Sequence, residues 1–256
     1  NAGMHGIVYI ELHGRDATQA DMRLAAVQEK IARWKPKMRG GLKIGLSIHT
    51  PYSVHRTLWE KALNYARQEK LPLCIHVAEH PAEVEYLQHG TGTFTDVLFK
   101  DSAPIDIPAK SPIAFLEAVG ALTLKPLLVH AVQVTDADIA LIKKYDCTVV
   151  HCPRSNLRLQ CGRMPLEKFL EAGIPVMLRT DSLVSSPSLN IFEEVEVAVA
   201  LHHGEEAARS ADANHFAREH LELHNYSPFD ADRLLRDRSL VVEHVPDEVL
   251  DDRLGE

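Results

Sequence analysis

The sequence predicts an α/β protein of the (β/α)8, TIM-barrel type, represented by six of the eight strands that such a barrel needs. Six short apolar runs alternate with stretches that have helical periodicity. Strands that are apolar on both faces and alternate with helices form a parallel sheet covered by helices. The six runs are IVYIEL (7–12), KIGLSIH (43–49), LPLCIHV (71–77), KPLLVHA (125–131), CTVVHC (147–152) and IPVMLRT (174–180).

The ends of these runs favour a barrel over a doubly wound open sheet. Five runs finish in a polar side chain, and these are His49, His76, His130, His151 and, directly after Thr180, Asp181. In a barrel all the carboxyl ends of the strands lie on one face, where the loops build the active site. An open sheet gathers its site at one switch point, so polar ends on nearly every strand are harder to explain there.

The connecting stretches read as helices, with caps at their starts. Residues 17–34, 53–70 and 135–145 have helical patterns, and Ser53 and Thr135 are the expected N-caps of the last two. The four cysteines lie mostly within apolar runs and form no CxxC pair, which indicates reduced core thiols. GTGTF (90–94) reads as a turn, and Arg154 and Arg158 read as surface charges.

Composition excludes several classes of function. The chain has 256 residues, 45% of them hydrophobic and 25% charged, as expected for one enzyme-sized domain. A formal charge of −8 argues against a nucleic-acid partner, because phosphate binding needs a basic face. The sequence contains no apolar run long enough to span a bilayer, and no leader is indicated at Asn1. We therefore expect no membrane partner and a cytoplasmic location.

Charge also divides the chain. Residues 205–256 hold fourteen acidic side chains against six arginines and no lysine. We therefore expect a partial barrel over residues 1–204 and an acidic C-terminal segment over 205–256, whose one strand-like run is SLVVEHV (239–245).

The polar strand ends suggest a metal-dependent hydrolase. Any one of fifteen histidines is more often a structural residue than a ligand, but several imidazoles and a carboxylate converging from separate strands are what a catalytic metal needs. Glu79, three residues after His76, is placed to move a proton between a metal-activated water and a leaving group.

Four segments together carry a family resemblance. HVAE (76–79), LLVHAV (127–132), HCPRSNL (151–157) and TDSLVSS (180–186) resemble, in order and spacing, the motifs of the fifth to eighth barrel strands of the amidohydrolase superfamily. The similarity is to its chlorohydrolase and deaminase branch, which includes S-adenosylhomocysteine, guanine and aminodeoxyfutalosine deaminases. HTPYS (49–53) resembles the substrate-histidine segment of that branch, and IELHG (10–14) resembles the end of its third strand.

The resemblance implies roles for the matching residues. His76 and Asp181 would be metal ligands, Asp181 would also take the proton of the nucleophilic water, and Glu79 would pass a proton to the leaving amine. His130 would lie beside the metal and polarise the water or the leaving group. His49, Ser155 and Asn156 would face a small-molecule substrate, an aminated or halogenated heteroaromatic ring. The implied cofactor is a divalent metal, with zinc expected and iron as the alternative.

The family's first strand carries an HxH pair of metal ligands, and no HxH occurs in these residues. We interpret the chain as starting at the third barrel strand, which would expose strand edges and favour a homo-oligomer. The alternative function is a non-catalytic barrel remnant or scaffold without a full metal site. Joint retention of His76, Glu79, His130 and Asp181 favours the hydrolase. Specificity is expected to depend on the insert at 89–112.

Overall fold

The computed structural model describes residues 5–100 and 109–204, which form two compact units. The first unit contains residues 5–49 and 53–74, and the second contains residues 50–52, 75–100 and 109–204. The acidic segment at 205–256, with its strand-like run, lies outside the described residues, so the boundary near residue 204 stays a prediction.

The first unit is built of alternating strands and helices. β1 pairs with β2 in parallel register from Gly6↔Leu42 to Leu12↔Ile48, and β2 pairs with the start of β3 in parallel at Leu46↔Leu73. The two helices of the unit each bury an apolar stripe at three- and four-residue spacing. Its elements are β1 (Gly6–Leu12), α1 (Ala20–Trp34), β2 (Leu42–Ile48), α2 (Arg56–Glu69) and the first two residues of β3 (Leu73–Val77).

The helix α2 begins later than predicted. Ser53 was the expected N-cap, but His55 is the N-cap residue, and its Nδ1 accepts a hydrogen bond from the Thr57 N–H at 3.2 Å. Ser53 Oγ instead lies 2.7 Å from Nδ1 of His49. The prediction was wrong because an unprotonated imidazole nitrogen can satisfy a first-turn N–H as a serine hydroxyl does.

The second unit continues the same alternation. β4 is parallel to β5, β5 is parallel to β6, and beyond the end of β3 the Ala131 N–H donates to Val77 O at 3.0 Å. The strands thus follow chain order in each unit, which confirms the predicted parallel α/β class and all six strands. The elements after β3 are α3 (Pro81–His89), a π-helical turn (Phe94–Leu98), α4 (Pro112–Ala118), β4 (Leu127–His130), α5 (Asp136–Lys144), β5 (Thr148–His151), α6 (Pro153–Arg158), α7 (Leu166–Glu171), β6 (Val176–Leu178) and α8 (Ile191–His203).

The start of α5 confirms the predicted Thr135 cap. Thr135 Oγ1 accepts the Asp138 N–H, and the Asp138 carboxylate accepts the Thr135 N–H at 2.9 Å, which completes a capping box. Asp138 is 2% exposed and also accepts a hydrogen bond from the Ser111 hydroxyl. The box therefore ties α5 to the start of α4.

Apolar strand residues form the core of each unit. Leu46 and Ile48 in the first unit, and Val129 and Val149 in the second, are fully buried, which is worth about 1.5–3 kcal/mol for each side chain. All four cysteines are buried thiols outside disulfide bonds, as predicted. Among the described helices, none combines the length and the apolar character that crossing a bilayer requires.

Candidate active site

The loop between β3 and α3 carries His76 and Glu79. His76 is a half-buried residue of β3, between the fully buried Ile75 and Val77. The chain then turns at Ala78, whose φ of 52° lies in the left-handed region, and α3 starts at Pro81. The strand thus ends where a ligand-type imidazole and a carboxylate are presented three residues apart.

Glu83, which the sequence analysis missed, holds this loop from inside α3. It is 1% exposed, and its two carboxylate oxygens accept the N–H groups of Ala78 at 3.0 Å and Glu79 at 2.9 Å. Burial raises the pKa of Glu83 to about 8, although both N–H donors favour the ionised form. The available signal was a glutamate at the third position of a helix that begins with proline.

His130, the last residue of β4, is oriented by Asn156. The Asn156 Nδ2 atom lies 3.0 Å from Nδ1 of His130, and an amide nitrogen can only donate. This pairing makes Nδ1 the acceptor and leaves the proton of the neutral ring on Nε2. That nitrogen lies 3.6 Å from Oε1 of Glu79.

The side chains from β3 and β4 lie against each other. The rings of His76 and His130 stack with centroids 5.6 Å apart. Glu79 contacts His130 on one side, and the Cys161 thiol lies 3.7 Å from its Oε1 on another. Burial, and then the Glu79 carboxylate, raise the pKa of Cys161 to about 12, so the thiol is a neutral donor.

Asp181 follows β6 and is held by two hydroxyl groups. Ser155 Oγ and Ser185 Oγ each donate to its Oδ2 at 2.6 Å. Burial alone would raise the pKa of Asp181, but His130, the two hydroxyls and His76 lower it by more, so the net pKa is below its usual value. Asp181 is therefore an ionised carboxylate that responds electrostatically to both histidines.

Strained backbone is concentrated at these loops. Positive φ angles occur at Ala78, at His130 (73°) and Ala131 (47°), and at Asp181 (60°). Each such residue costs on the order of 1–3 kcal/mol, and such strain clusters at sites that need a fixed geometry. Three separate loops that follow strands thus share left-handed backbone, which is rare for alanine and better tolerated by His130 and Asp181.

An aromatic cluster lies near Glu79 and contains two residues of the predicted specificity insert. The ring of Tyr52 packs 4.7 Å from that of Phe94 and 6.2 Å from that of Phe99, and Tyr86 completes the cluster. Burial, and then the carboxylates of Glu83 and Glu79, raise the pKa of Tyr52. The Tyr52 hydroxyl therefore lies within electrostatic range of the Glu79 carboxylate, and Phe94 and Phe99 pack against the Tyr52 ring.

The predicted substrate residues are placed as follows. Ser155 and Asn156 are buried, and their side chains contact Asp181 and His130. His49 belongs to the other unit, where its Nδ1 contacts Ser53. A role of these three residues in substrate binding stays a prediction.

Arg154 was predicted to be a surface charge, and this was wrong. Its side chain is 9% exposed, with Nη1 2.6 Å from the Glu193 carboxylate and Nε 3.7 Å from that of the fully buried Glu194. Glu194 also accepts the Arg154 N–H at 3.1 Å and the Ser186 hydroxyl at 3.1 Å. The arginine ties α6 to α8 and to the loop that carries Asp181.

His151, at the end of β5, is buried apart from these contacts. It is 1% exposed, and within the described residues neither ring nitrogen has a hydrogen-bond partner. Its ring meets that of His202 edge-on, with centroids 5.6 Å apart. Burial, followed by the positive charge that His202 would carry, lowers the pKa of His151 to about 3, so the ring is neutral in the folded protein.

This burial predicts an acid-sensitive fold. The unfolded chain protonates His151 below its usual pKa of about 6.5, whereas the folded protein does not until about pH 3, so stability falls as pH drops below 6.5. We expect wild type to lose about 2 kcal/mol more unfolding free energy between pH 7 and pH 5 than His151→Gln loses. Urea unfolding at both pH values measures the difference, and the exposed His89→Gln variant is the control. Equal pH dependence of wild type and His151→Gln would contradict the prediction.

The donor atoms of the site fit part of a divalent-metal centre. The imidazole of His76 and the ionised carboxylate of Asp181 are ligand types that zinc and iron accept. Over residues 5–100 and 109–204, however, no group of three or more His, Cys, Asp or Glu side chains forms a metal-holding cluster. The described residues thus do not form a complete metal site by themselves.

Comparison with known proteins finds relatives among deaminases. An aminodeoxyfutalosine deaminase of Deinococcus radiodurans is 39% identical over 210 residues, which cover 78% of this chain and 50% of the relative. A 5-methylthioadenosine/S-adenosylhomocysteine deaminase of Carboxydothermus hydrogenoformans is 27% identical, over 77% of this chain and 42% of the relative. The chain therefore spans about half the length of the curated relatives that it matches.

Solved structures show the same fold. Aminofutalosine deaminase of Helicobacter pylori in complex with methylthio-coformycin superposes with a TM-score of 0.67 at 24% identity, covering 77% of this chain and 48% of the other. An adenosine deaminase from Xanthomonas campestris with bound zinc superposes with a TM-score of 0.64, covering 83% and 46%. This likeness confirms the predicted barrel-type fold. The model of the amidohydrolase family matches residues 5–227, and the chain belongs to that family.

Proposed function

We propose that the protein is a metal-dependent hydrolase that removes the amino group from the ring of a nucleoside-like substrate. The observation that carries the proposal is the meeting of Glu79, His130 and an ionised Asp181 at three strand ends. These groups supply a proton acceptor, a proton carrier and an oriented imidazole at one place, which hydrolysis of a ring C–N bond requires.

The proposed cofactor is a divalent metal, and we propose zinc, with iron as the alternative. His76 and Asp181 would hold it. When bound, the metal supplies Lewis acidity and makes water easier to deprotonate. The two serine hydroxyls on Oδ2 of Asp181 would keep this carboxylate in one orientation, as second contacts around a metal ligand do.

Two carboxylates would carry out the proton transfers. Asp181, with its lowered pKa, is ionised at neutral pH and would accept a proton from the attacking water. Glu79 would carry a proton to the ring or to the departing amine, so that ammonia leaves and a ring carbonyl remains. His130 would donate from Nε2, because Asn156 occupies its Nδ1.

The proposed substrate class is an aminopurine nucleoside. The names of the relatives support this class, since those proteins are deaminases of aminodeoxyfutalosine and of 5-methylthioadenosine or S-adenosylhomocysteine. Tyr52 lies within electrostatic range of Glu79, and the rings of Tyr52, Phe94 and Phe99 form an aromatic cluster of the kind that packs against a flat ring. Of the relatives, the aminodeoxyfutalosine deaminases have the higher identity, so we propose aminodeoxyfutalosine as the preferred member.

An assay of ammonia release tests the proposal. The full-length protein is supplied with Zn²⁺ or Fe²⁺ and mixed with aminodeoxyfutalosine, 5′-methylthioadenosine, S-adenosylhomocysteine or atrazine. We expect ammonia from the nucleosides, with aminodeoxyfutalosine giving the highest kcat/KM. Chloride release from atrazine alone would move the function to dechlorination, and no release from any compound with metal bound would favour the scaffold.

A further inference from the structure

Glu83 accepts two backbone hydrogen bonds, called the clamp below, that the proposed chemistry does not use. Its carboxylate lies in α3, yet both of its hydrogen bonds go back to the loop, to the N–H groups of Ala78 and Glu79. Glu79 is the residue whose Oε1 lies 3.6 Å from His130. One fully buried side chain therefore fixes the backbone on which the proposed proton carrier stands.

Comparison with Asp138 shows that this clamp differs from ordinary helix capping. Asp138 occupies the same third position of α5 and is equally buried, but it accepts the N–H of the capping residue Thr135 itself. The Glu83 side chain instead accepts N–H groups of residues that precede its capping residue, His80. Nδ1 of His80 caps the helix by accepting the Ala82 N–H at 3.1 Å. The start of α3 is thus satisfied without Glu83, and the glutamate serves the loop.

The loop needs such a clamp because its backbone is strained. Ala78 is fully buried with a φ of 52°, a conformation that alanine rarely adopts. Without an acceptor, the Ala78 N–H would be buried and unsatisfied, and the turn would relax toward an ordinary conformation. Since Glu79 is the next residue, that relaxation would carry its carboxylate away from His130.

We infer that Glu83 is a positioning residue, whose carboxylate holds the strained turn at Ala78 and Glu79 so that the Glu79 side chain stays beside His130. The inference rests on the proposed function for its catalytic consequence, but the clamp itself can be measured without any activity. A glutamine at this position keeps one acceptor and sets an amide N–H₂ against the other backbone N–H. The turn would therefore lose one hydrogen bond and gain a donor facing a donor.

Two measurements on Glu83→Gln test the inference. Asp138→Asn is the matched control, because Asp138 is also buried and occupies the third position of its helix. Hydrogen exchange of the Ala78 and Glu79 amides should be about tenfold or more faster in Glu83→Gln and unchanged in Asp138→Asn. With aminodeoxyfutalosine as substrate, kcat should fall about 10- to 100-fold in Glu83→Gln with KM within about threefold, and stay within about twofold in Asp138→Asn. Glu83→Asp, which keeps both carboxyl oxygens on a shorter side chain, should change both quantities in the same direction if Glu83→Gln does not fold.

The outcomes separate this inference from the proposed function. Faster amide exchange, together with a lower kcat and a nearly unchanged KM, supports the positioning role. Unchanged exchange at the two amides in a folded variant overturns it, and so does a loss of activity that merely tracks thermal stability in Glu83→Gln and Asp138→Asn alike. An inactive wild type would contradict the proposed function, while the exchange measurement would still decide whether Glu83 holds the turn.

Discussion

Replacing Glu79 with glutamine is expected to lower kcat by about 100-fold or more while leaving bound metal nearly unchanged. Glutamine has the size of glutamate and leaves His76 and Asp181 in place, but it cannot carry a proton. The His130 and Cys161 contacts to Oε1 can be kept by the amide oxygen, so the variant should fold as wild type does. Metal analysis and deamination assays on one preparation measure both quantities.

Glu85→Gln is the matched control for this change. Glu85 lies two residues after Glu83 on α3 and is exposed, so the same substitution there should leave kcat within about twofold. Loss of metal together with activity in Glu79→Gln would show that Glu79 is a ligand. Retention of wild-type turnover would remove it from the mechanism altogether.

Replacing Asp181 with asparagine should abolish both metal retention and turnover. The amide carries no charge for the cation and takes no proton from water, so we expect kcat to fall by about a thousandfold or more even at saturating metal. Asparagine tolerates the left-handed backbone that residue 181 adopts, with φ of 60°, so the change acts on chemistry rather than on the turn. Metal titration and the deamination assay follow the two losses.

Asp146→Asn provides the comparison. Asp146 also has a left-handed backbone, with φ of 55°, but its carboxylate pairs with Lys125 at 2.7 Å on the surface. That variant should retain metal and kcat and change stability little, because the ion pair is exposed to solvent. Full activity in Asp181→Asn would contradict the assignment of Asp181 as ligand and proton acceptor.

Much of the fold was predictable because local pattern and tertiary environment agree. Each apolar run became a strand, and β2 to β5 bury side chains on both faces, so the alternation of strands and helices specified a parallel sheet. His76, His130 and Asp181 could be selected because strand ends of a parallel sheet lie at one edge. The capping box at Thr135 was visible for the same reason, since all of its parts lie within four residues.

The features that escaped prediction depend on partners distant in sequence or on backbone geometry. Arg154 looks like a surface charge until α8 brings Glu193 and Glu194 to it, some forty residues later. Ser53 has the residue type of an N-cap, but in the fold its hydroxyl contacts Nδ1 of His49. Glu83 reads as an ordinary helix residue, because nothing in its type shows that Ala78, five residues earlier and directly after β3, will adopt a left-handed turn.

Turnover in oxygen-18 water tests the central claim most directly. If Glu79, His130 and Asp181 direct the hydrolysis of a ring C–N bond, mass spectrometry should find one oxygen-18 atom in the deaminated nucleoside for each ammonia released. The labelled oxygen should stand on the ring carbon that carried the amino group. A deaminated product without the label would contradict this claim. So would ammonia release from a substrate whose ring keeps its amino group.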